Sequence, residues 1–453
     1  MSTKVERALK AASETKDLLM GSNVLDKVPE LFKKYFGDNK AVIIADETTY
    51  KIAGKQIARL LAENGVEQEP IFIFKDPDLY AEYSFVEELS ESLANHNAIP
   101  IAVGSGTIND LTKLAAHQNN REYMCVATAA SMDGYTAFGA SITADGAKQT
   151  FNCPAPKVCV ADIEIIRNAP TDMTASGYAD LFAKVTAGAD WILADSLGVE
   201  PIDEQAWSIV QNGLHDALSN PAGVRKGEPE AVFELISGLM LGGFAMQWSK
   251  SSRPASGAEH QFSHLWNMEH HTNNGEHISH GFQVAIGTLA ISALYEEILK
   301  YPFDKLNIEE CCDLWVSPEA LAEKSRALFK TTDFPEIGVQ ETSAKYIDSE
   351  ALRDQLQILK NNWIVIREKL RTQLVSFKEA QNRLKMVGAP YEPEHIGLTR
   401  THLKNTFIRA QYIRRRFTVL DLLVRTNTLD FFLGKLFGKE GVWALEEHRI
   451  LSE

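Results

Sequence analysis

Six of the chain's twelve histidines, His260, His264, His270, His271, His277 and His280, fall within the stretch "GAEHQFSHLWNMEHHTNNGEHISHG" (257–281). Imidazole nitrogen ligates zinc, nickel, cobalt or iron(II), and a catalytic site wants three protein ligands with a position left open for water or substrate. His260 and His264 are four apart and His277 and His280 three apart, so each pair shares a face if its segment is helical. "HQFSH" lacks the glutamate of a zinc-protease helix, and hydrolysis of that kind is not indicated. His270 and His271 read as a polar loop between helices. His260 follows the small residues of "SGAEH", and His280 precedes the apolar run "FQVAIGTLAISALY"; for these two, ligation and a structural role stand equally open.

A second chemistry is written in "VGSGTINDLTK" (103–113), a Gly-x-Gly turn between an apolar strand and a helix. Glycines let the backbone approach a phosphate, and the helix start offers N–H groups and a positive dipole end. The third glycine of the dinucleotide fingerprint is missing, and no Gly-Lys-Ser/Thr follows, which rules out a Walker loop. An ordinary tight turn remains the alternative. Asp46, ending another strand, could accept from an adenosine ribose and would lean the site to NADH by repelling a 2′-phosphate; it reads equally as a turn residue. "ATAASMDGYTA" (127–137) supplies small residues for close packing to a flat ligand, with Asp133 as a crevice carboxylate or a turn former.

These residues need a scaffold, and the first third of the chain alternates strand and helix. "AVIIA" (41–45), "PIFIF" (70–74), "IPIAV" (99–103), "YMCVAT" (123–128) and "KVCVADIEII" (157–166) read as strands, the last closing the layer. The intervening segments "YKIAGKQIARLLAENG" (50–65), "VEELSESLANH" (86–96) and "GSGTINDLTKLAAH" (104–117) have helical spacing. That predicts a parallel sheet with helices on both faces and ligands at the strands' carboxyl ends. "ASITADGAKQTFN" (140–152) predicts a hairpin turning at Asp145-Gly146. After Pro170 nearly every segment is helical. The expected division is therefore an α/β domain over 1–170 and an all-helical domain over 171–453. Within the latter, 382–400 reads as a long loop and "IRRRFTVLDLLVR" (413–425) as a helix with a solvated basic face.

Composition narrows the class. Hydrophobic residues are 45% and charged residues 24%, as in globular proteins. A net charge of −15 argues against nucleic acid and against docking on anionic lipid. The amino terminus, "MSTKVERALKAASETKDLL", lacks the apolar core of a signal peptide, and "LISGLMLGGFAM" (235–246) is too short to span a bilayer and reads as a buried helix. Five scattered cysteines suit a reducing cytosol, and none forms a CxxC pair. The expectation is a cytoplasmic protein with no nucleic-acid or membrane partner.

Together, "GSGTINDLTK", "ATAASMDGYTA", "ASGYADLFAKVTAGADW", "RPASGAEHQFSH" and "HISHG" resemble, in order and separation, the metal-dependent sn-glycerol-1-phosphate dehydrogenases of the iron-containing alcohol dehydrogenase and glycerol dehydrogenase superfamily. "IRRRFTVLDLL" is similar to the bacterial branch. The resemblance spans roughly 40–425. It implies a dehydroquinate-synthase-like architecture, with dinucleotide binding in 1–170 and metal and substrate binding in 171–453, and a divalent metal (zinc, nickel or iron) on Asp180, His260 and His280. It implies substrate and catalytic contacts from Asp133, Asp180 and His264. NAD(H) or NADP(H) contacts would come from Gly106, Thr107, Ile108, Asn109 and Asp110 and from Thr128, Ala129, Ala130 and Ser131. Ala137 stands where the family commonly has serine, and the chain is longer than a typical member. The implied reaction is reversible reduction of dihydroxyacetone phosphate to sn-glycerol 1-phosphate, with Arg253 or Lys184 as charge-based candidates for the phosphate. The alternatives are a dehydrogenase of glycerol or another unphosphorylated polyol, a dehydroquinate-synthase-like cyclase, and a catalytically silent dinucleotide binder. A homo-oligomer, dimer or higher, fits the helical second half.

Overall fold

The computed structural model describes residues 3–144 and 147–445. Its strands, in chain order, are β1 (Asp17–Gly21), β2 (Ala41–Asp46), β3 (Phe72–Phe74), β4 (Ile99–Gly104), β5 (Met124–Ala127), β6 (Ala140–Ala144), β7 (Ala147–Phe151) and β8 (Val158–Asp162). Six of them form one sheet in the order β1-β8-β5-β4-β2-β3, and every neighbouring pair is parallel. The expected parallel sheet is present. β8 closes the layer in sequence but lies inside it, between β1 and β5, and Ile163–Ile166 turn helical immediately after it.

The inner strands β2, β4, β5 and β8 are apolar and buried along nearly their whole length because both faces are covered, as parallel sheets require. One face buries Ala41, Ile43, Ala45, Ile101, Val103, Met124, Val126, Val158 and Val160 against Leu31 and Phe32 of the Val28–Phe36 helix and Ile57 and Leu61 of the Lys55–Glu63 helix. The Gly106–Gln118 helix packs on β4 and β2. β6 and β7 form the expected antiparallel pair; the Asp145-Gly146 turn lies outside the described residues.

The chain divides into two compact units. The first takes the residues up to Leu181, then Glu204–Pro254 and Met386–Gly388; the second takes Phe182–Asp203, Ala255–Lys385 and the segment from Ala389 on. The first unit contains the sheet and the Pro229–Ser249 helix, into which the run 235–246 extends. That helix is long and apolar enough to cross a membrane, yet 83% of its most apolar window is buried in the fold. The second unit is helical apart from a two-residue antiparallel ladder, Thr272–Asn273 with Glu276–His277. Its best-packed helix pair is Ala258–Met268 with His280–Ile298.

Two sequence expectations are corrected here. The span 382–400 is not one long loop: helix Phe377–Val387 runs into it, a short 3-10 turn occupies Pro393–Ile396, and a new helix starts at Arg400. Gly388, at φ 90°, makes the break. Arg414, Arg415 and Arg416 lie on no helix face, because that helix starts only at Val419, after a Thr418–Asp421 capping box. Arg415 instead forks onto Glu341, Arg416 donates to the Ser256 carbonyl at 2.7 Å, and burial pushes the Arg414 guanidinium below its usual pKa.

One buried charge ties the loop beyond β5 to the sheet's helix layer. The Lys113 side chain has no exposure, and its ammonium donates to the carbonyls of Gly134, Ala137 and Gly139 at 2.9, 3.0 and 3.0 Å, with Asp110 Oδ1 at 3.6 Å. Methionine would match its length but leave three buried carbonyls and a carboxylate without this cation. Breaking a buried charged network of this kind costs about 3–5 kcal/mol. Lys113→Met should therefore lower the thermal midpoint by several degrees in a melting scan, and an unchanged midpoint would contradict the clamp.

Candidate metal centre and dinucleotide site

Asp180 lies near the end of the Thr171–Phe182 helix, with no solvent exposure, and its Oδ2 accepts the Asp133 backbone N–H at 3.0 Å. His260 is the third residue of the Ala258–Met268 helix and is 6% exposed. Asp190 holds the start of that helix: Oδ2 accepts from Ala258 N at 2.7 Å, and Oδ1 accepts from the Tyr295 hydroxyl and Val419 N at 2.6 and 3.0 Å. An anion at the first turn suits the helix dipole. His280 opens the His280–Ile298 helix. The pair His277 and His280 shares no helix, since His277 sits exposed in the two-residue ladder.

One ligand atom from each of Asp180, His260 and His280 lies within 4.8 Å of the other two, and no second such His/Cys/Asp/Glu group occurs among the described residues. His264, one turn beyond His260, completes a triangle of rings: centroids are 5.3 Å apart for His260–His280 and 6.5 Å for His264 to each of the others. His270 pairs with Asp333 at 3.1 Å, and His271 meets the Ile396 carbonyl at 2.8 Å. Two imidazoles and a carboxylate make the N2O donor set that suits zinc, nickel or iron(II), with positions left for substrate. A carboxylate without exposure is costly unless a cation or hydrogen bonds compensate it, so the donor set fits a divalent ion. All five cysteines are free and lie outside the set.

The two imidazoles meet acceptors of different kinds. His260 Nδ1 lies 2.8 Å from Glu259 Oε1, which also accepts from Gly257 N at 2.6 Å, while Oε2 accepts from the Thr186 hydroxyl at 3.0 Å. Burial works against this charge, but the hydrogen bonds from His260 and Gly257 prevail and hold the Glu259 carboxyl below its usual pKa. Oε1 already accepts from Gly257 N, so it is an acceptor toward the ring as well and Nδ1 carries the proton between them. For His280 the polarity follows from the Ile278 carbonyl, which can only accept. The Gln283 nitrogen faces it at 3.4 Å and Asn267 Oδ1 at 2.9 Å, so Gln283 Oε1 takes the Ser263 hydroxyl hydrogen at 2.9 Å. Ser263 Oγ is then an acceptor toward His280 Nδ1, at 3.4 Å. An Nδ1 engaged in this way suits ligation through Nε2. Glu259, Ser263 and Gln283 were not singled out from sequence; the only signal was that Glu259 stands beside His260 in "GAEH".

The expected dinucleotide residues gather at the carboxyl ends of the neighbouring strands β5, β4 and β2. Gly106–Asp110 form the first turn of the helix after β4, behind an extended Ser105. A Cβ at Gly106 would lie 2.6 Å from the Met132 methyl, so this glycine permits close packing of the "ASMD" segment. Asn109 Oδ1 accepts from the Tyr123 hydroxyl at 3.0 Å, and Asp110 Oδ2 from Ser141 N at 3.2 Å. Thr128 N donates to the Gly104 carbonyl at 3.0 Å, the Ala129 carbonyl accepts the Tyr135 hydroxyl at 2.7 Å, and Gly177 approaches the Ala130 carbonyl closely. The Ser131 carbonyl faces the Ser176 hydroxyl at 3.3 Å. Asp46 caps the turn after β2, with Oδ1 accepting from Thr48 N and Thr49 N at 2.8 and 2.7 Å.

The model of the iron-containing alcohol dehydrogenase family matches residues 19–170. The glycerol-1-phosphate dehydrogenase [NAD(P)+] of Halalkalibacterium halodurans is 32% identical over 285 residues, which are 62% of this chain and 71% of that one. The enzyme of that name from Bacillus subtilis is 28% identical over 382 residues, 80% of this chain and 97% of its own. The glycerol dehydrogenase structure from Schizosaccharomyces pombe superposes with a TM-score of 0.59 at 15% identity, covering 94% of this chain and 92% of that one, a likeness of fold. Metal content checks the donor set: His260→Ala or His280→Ala should take bound zinc from one equivalent to none with the circular dichroism unchanged, and a full equivalent in either variant would refute the assignment. By sequence and fold the chain belongs to the glycerol-1-phosphate dehydrogenases, within the iron-containing alcohol dehydrogenase family.

Proposed function

We propose that the protein catalyses the reversible, NAD(P)H- and metal-dependent reduction of dihydroxyacetone phosphate to sn-glycerol 1-phosphate. The observation that carries this reading is the convergence of Asp180, His260 and His280 in a chain about 30% identical to enzymes named for that reaction. Residues 1–170 would serve as the dinucleotide-binding domain and 171–453 as the metal- and substrate-binding domain.

Asp180, His260 and His280 would hold the ion. When bound, a divalent ion supplies Lewis acidity toward a carbonyl oxygen and the nicotinamide supplies hydride. The backbone N–H groups at the start of the Gly106–Gln118 helix would receive the cofactor's phosphates, and Thr128–Ser131 would pack against it. Asp133, fixed through its N–H on Asp180, would orient a substrate hydroxyl. His264 would deliver the proton that completes the alcohol, a task suited to imidazole near neutral pH. Lys184 and Arg253 are the candidates for the substrate phosphate; they are 0% and 2% exposed, and a buried cation favours an anionic partner.

The five free, buried cysteines suit a reducing cytoplasm. Exposed Ile364 and Val365 on the Ser349–Gln373 helix support a homo-oligomer. Protein stripped of metal and resupplied with zinc, nickel or iron(II) should oxidise NADH or NADPH with dihydroxyacetone phosphate and should turn over unphosphorylated dihydroxyacetone at least about tenfold more slowly, since each lost charged contact is worth about 1.5–3 kcal/mol. Equal turnover of both ketones would point to a polyol dehydrogenase, and none with either would overturn the reading.

A further inference from the structure

We propose that Glu259 is a positioning residue for the metal centre, whose negative charge, delivered through the His260 ring, sets the affinity of the site for a divalent ion. The inference rests on the metal-centre reading and deepens it. Glu259 has no solvent exposure, and three donors converge on its carboxylate: Gly257 N at 2.6 Å, the Thr186 hydroxyl at 3.0 Å and His260 Nδ1 at 2.8 Å. Gly257 and Thr186 fix the carboxylate independently of the histidine, so it is a preset acceptor to which the ring must turn. The ring lies on the same helix as the carboxylate, so neither partner needs ordering when metal arrives.

The backbone around Glu259 is equally constrained. A Cβ on Gly287 of the His280–Ile298 helix would stand 2.5 Å from the Glu259 carbonyl oxygen, so the helices bearing His260 and His280 touch at this residue. His260 Nδ1 faces the Glu259 carboxylate at 2.8 Å. A carboxylate hydrogen-bonded to the far nitrogen makes an imidazole a more basic ligand and fixes its tautomer. Glu259 also adds a carboxylate to that of Asp180 near a bound dication, which favours a buried ion.

The test is zinc affinity at fixed pH, measured by competition with a chromophoric chelator, on wild type, Glu259→Gln and His260→Ala. Glutamine keeps the shape and an acceptor oxygen for Gly257 and His260, removes the charge, and turns the second oxygen into an amide donor that the Thr186 hydroxyl can accept while it donates to the Ala183 carbonyl at 3.0 Å. Glu259→Gln should bind zinc about 10–100-fold more weakly, with the visible spectrum of its cobalt(II) form shifted and the metal-free melting temperature near wild type. If that variant does not fold, Glu259→Asp replaces it: the shorter carboxylate no longer reaches Nδ1, and affinity should again fall. Wild-type zinc affinity and an unshifted cobalt spectrum in a folded variant would overturn the proposal. No stoichiometric zinc on wild type, or normal zinc on His260→Ala, would overturn the metal-centre reading and this inference with it.

Discussion

A carboxylate with no access to water is the constraint around which this site is arranged. Asp180 has no solvent exposure, and a buried carboxylate is tolerated when hydrogen bonds and a counter-charge meet it. The Asp133 N–H supplies one hydrogen bond, and the imidazoles of His260 and His280 supply nitrogen donors within 4.8 Å. Each Nδ1 faces an oxygen, Glu259 Oε1 for His260 and Ser263 Oγ for His280, which suits ligation through Nε2. A dication is the charge that makes this arrangement inexpensive to bury, and an N2O donor set is what zinc, nickel and iron(II) share.

Each part of the machinery is held by groups that do no chemistry. In the unit that contains the sheet, Lys113 gathers three carbonyls of the loop after β5, so the segment carrying Asp133 is clamped to the helix that starts with the Gly-x-Gly turn. In the helical unit, Asp190 anchors the first N–H of the His260 helix while gripping Tyr295 and Val419, which fixes that helix against two other segments. Both devices place a fully buried charge against backbone groups, whose positions the fold determines more rigidly than it does side chains.

Much of this was legible in the sequence, for local reasons. β4 and β5 are runs of apolar residues followed by small ones, β2 is an apolar run closed by Asp46, and the strand-to-helix turn at Gly104-Ser105-Gly106 needs only its own residues. The spacing of His260 and His264 read correctly as one helix face. What escaped the sequence depends on distant contacts. β1, "DLLMG", is a short strand that pairs with β8, about 140 residues later in the chain. The arginines at 414–416 look like a solvated face until Glu341 and the Ser256 carbonyl are brought to them. Glu259 looks like a helix-surface acid beside a histidine, and only Thr186, seventy-three positions away, reveals it as buried. Asp180 came from the family resemblance, because one aspartate in an apolar helix carries no local sign of ligation.

The most direct measurement of the central claim is an anomalous difference map at the zinc edge from crystals grown with zinc. A single strong peak within bonding distance of the Asp180 carboxylate and the Nε2 atoms of His260 and His280 is the expected result. Stoichiometric zinc bound elsewhere, or coordination through either Nδ1, would contradict the account.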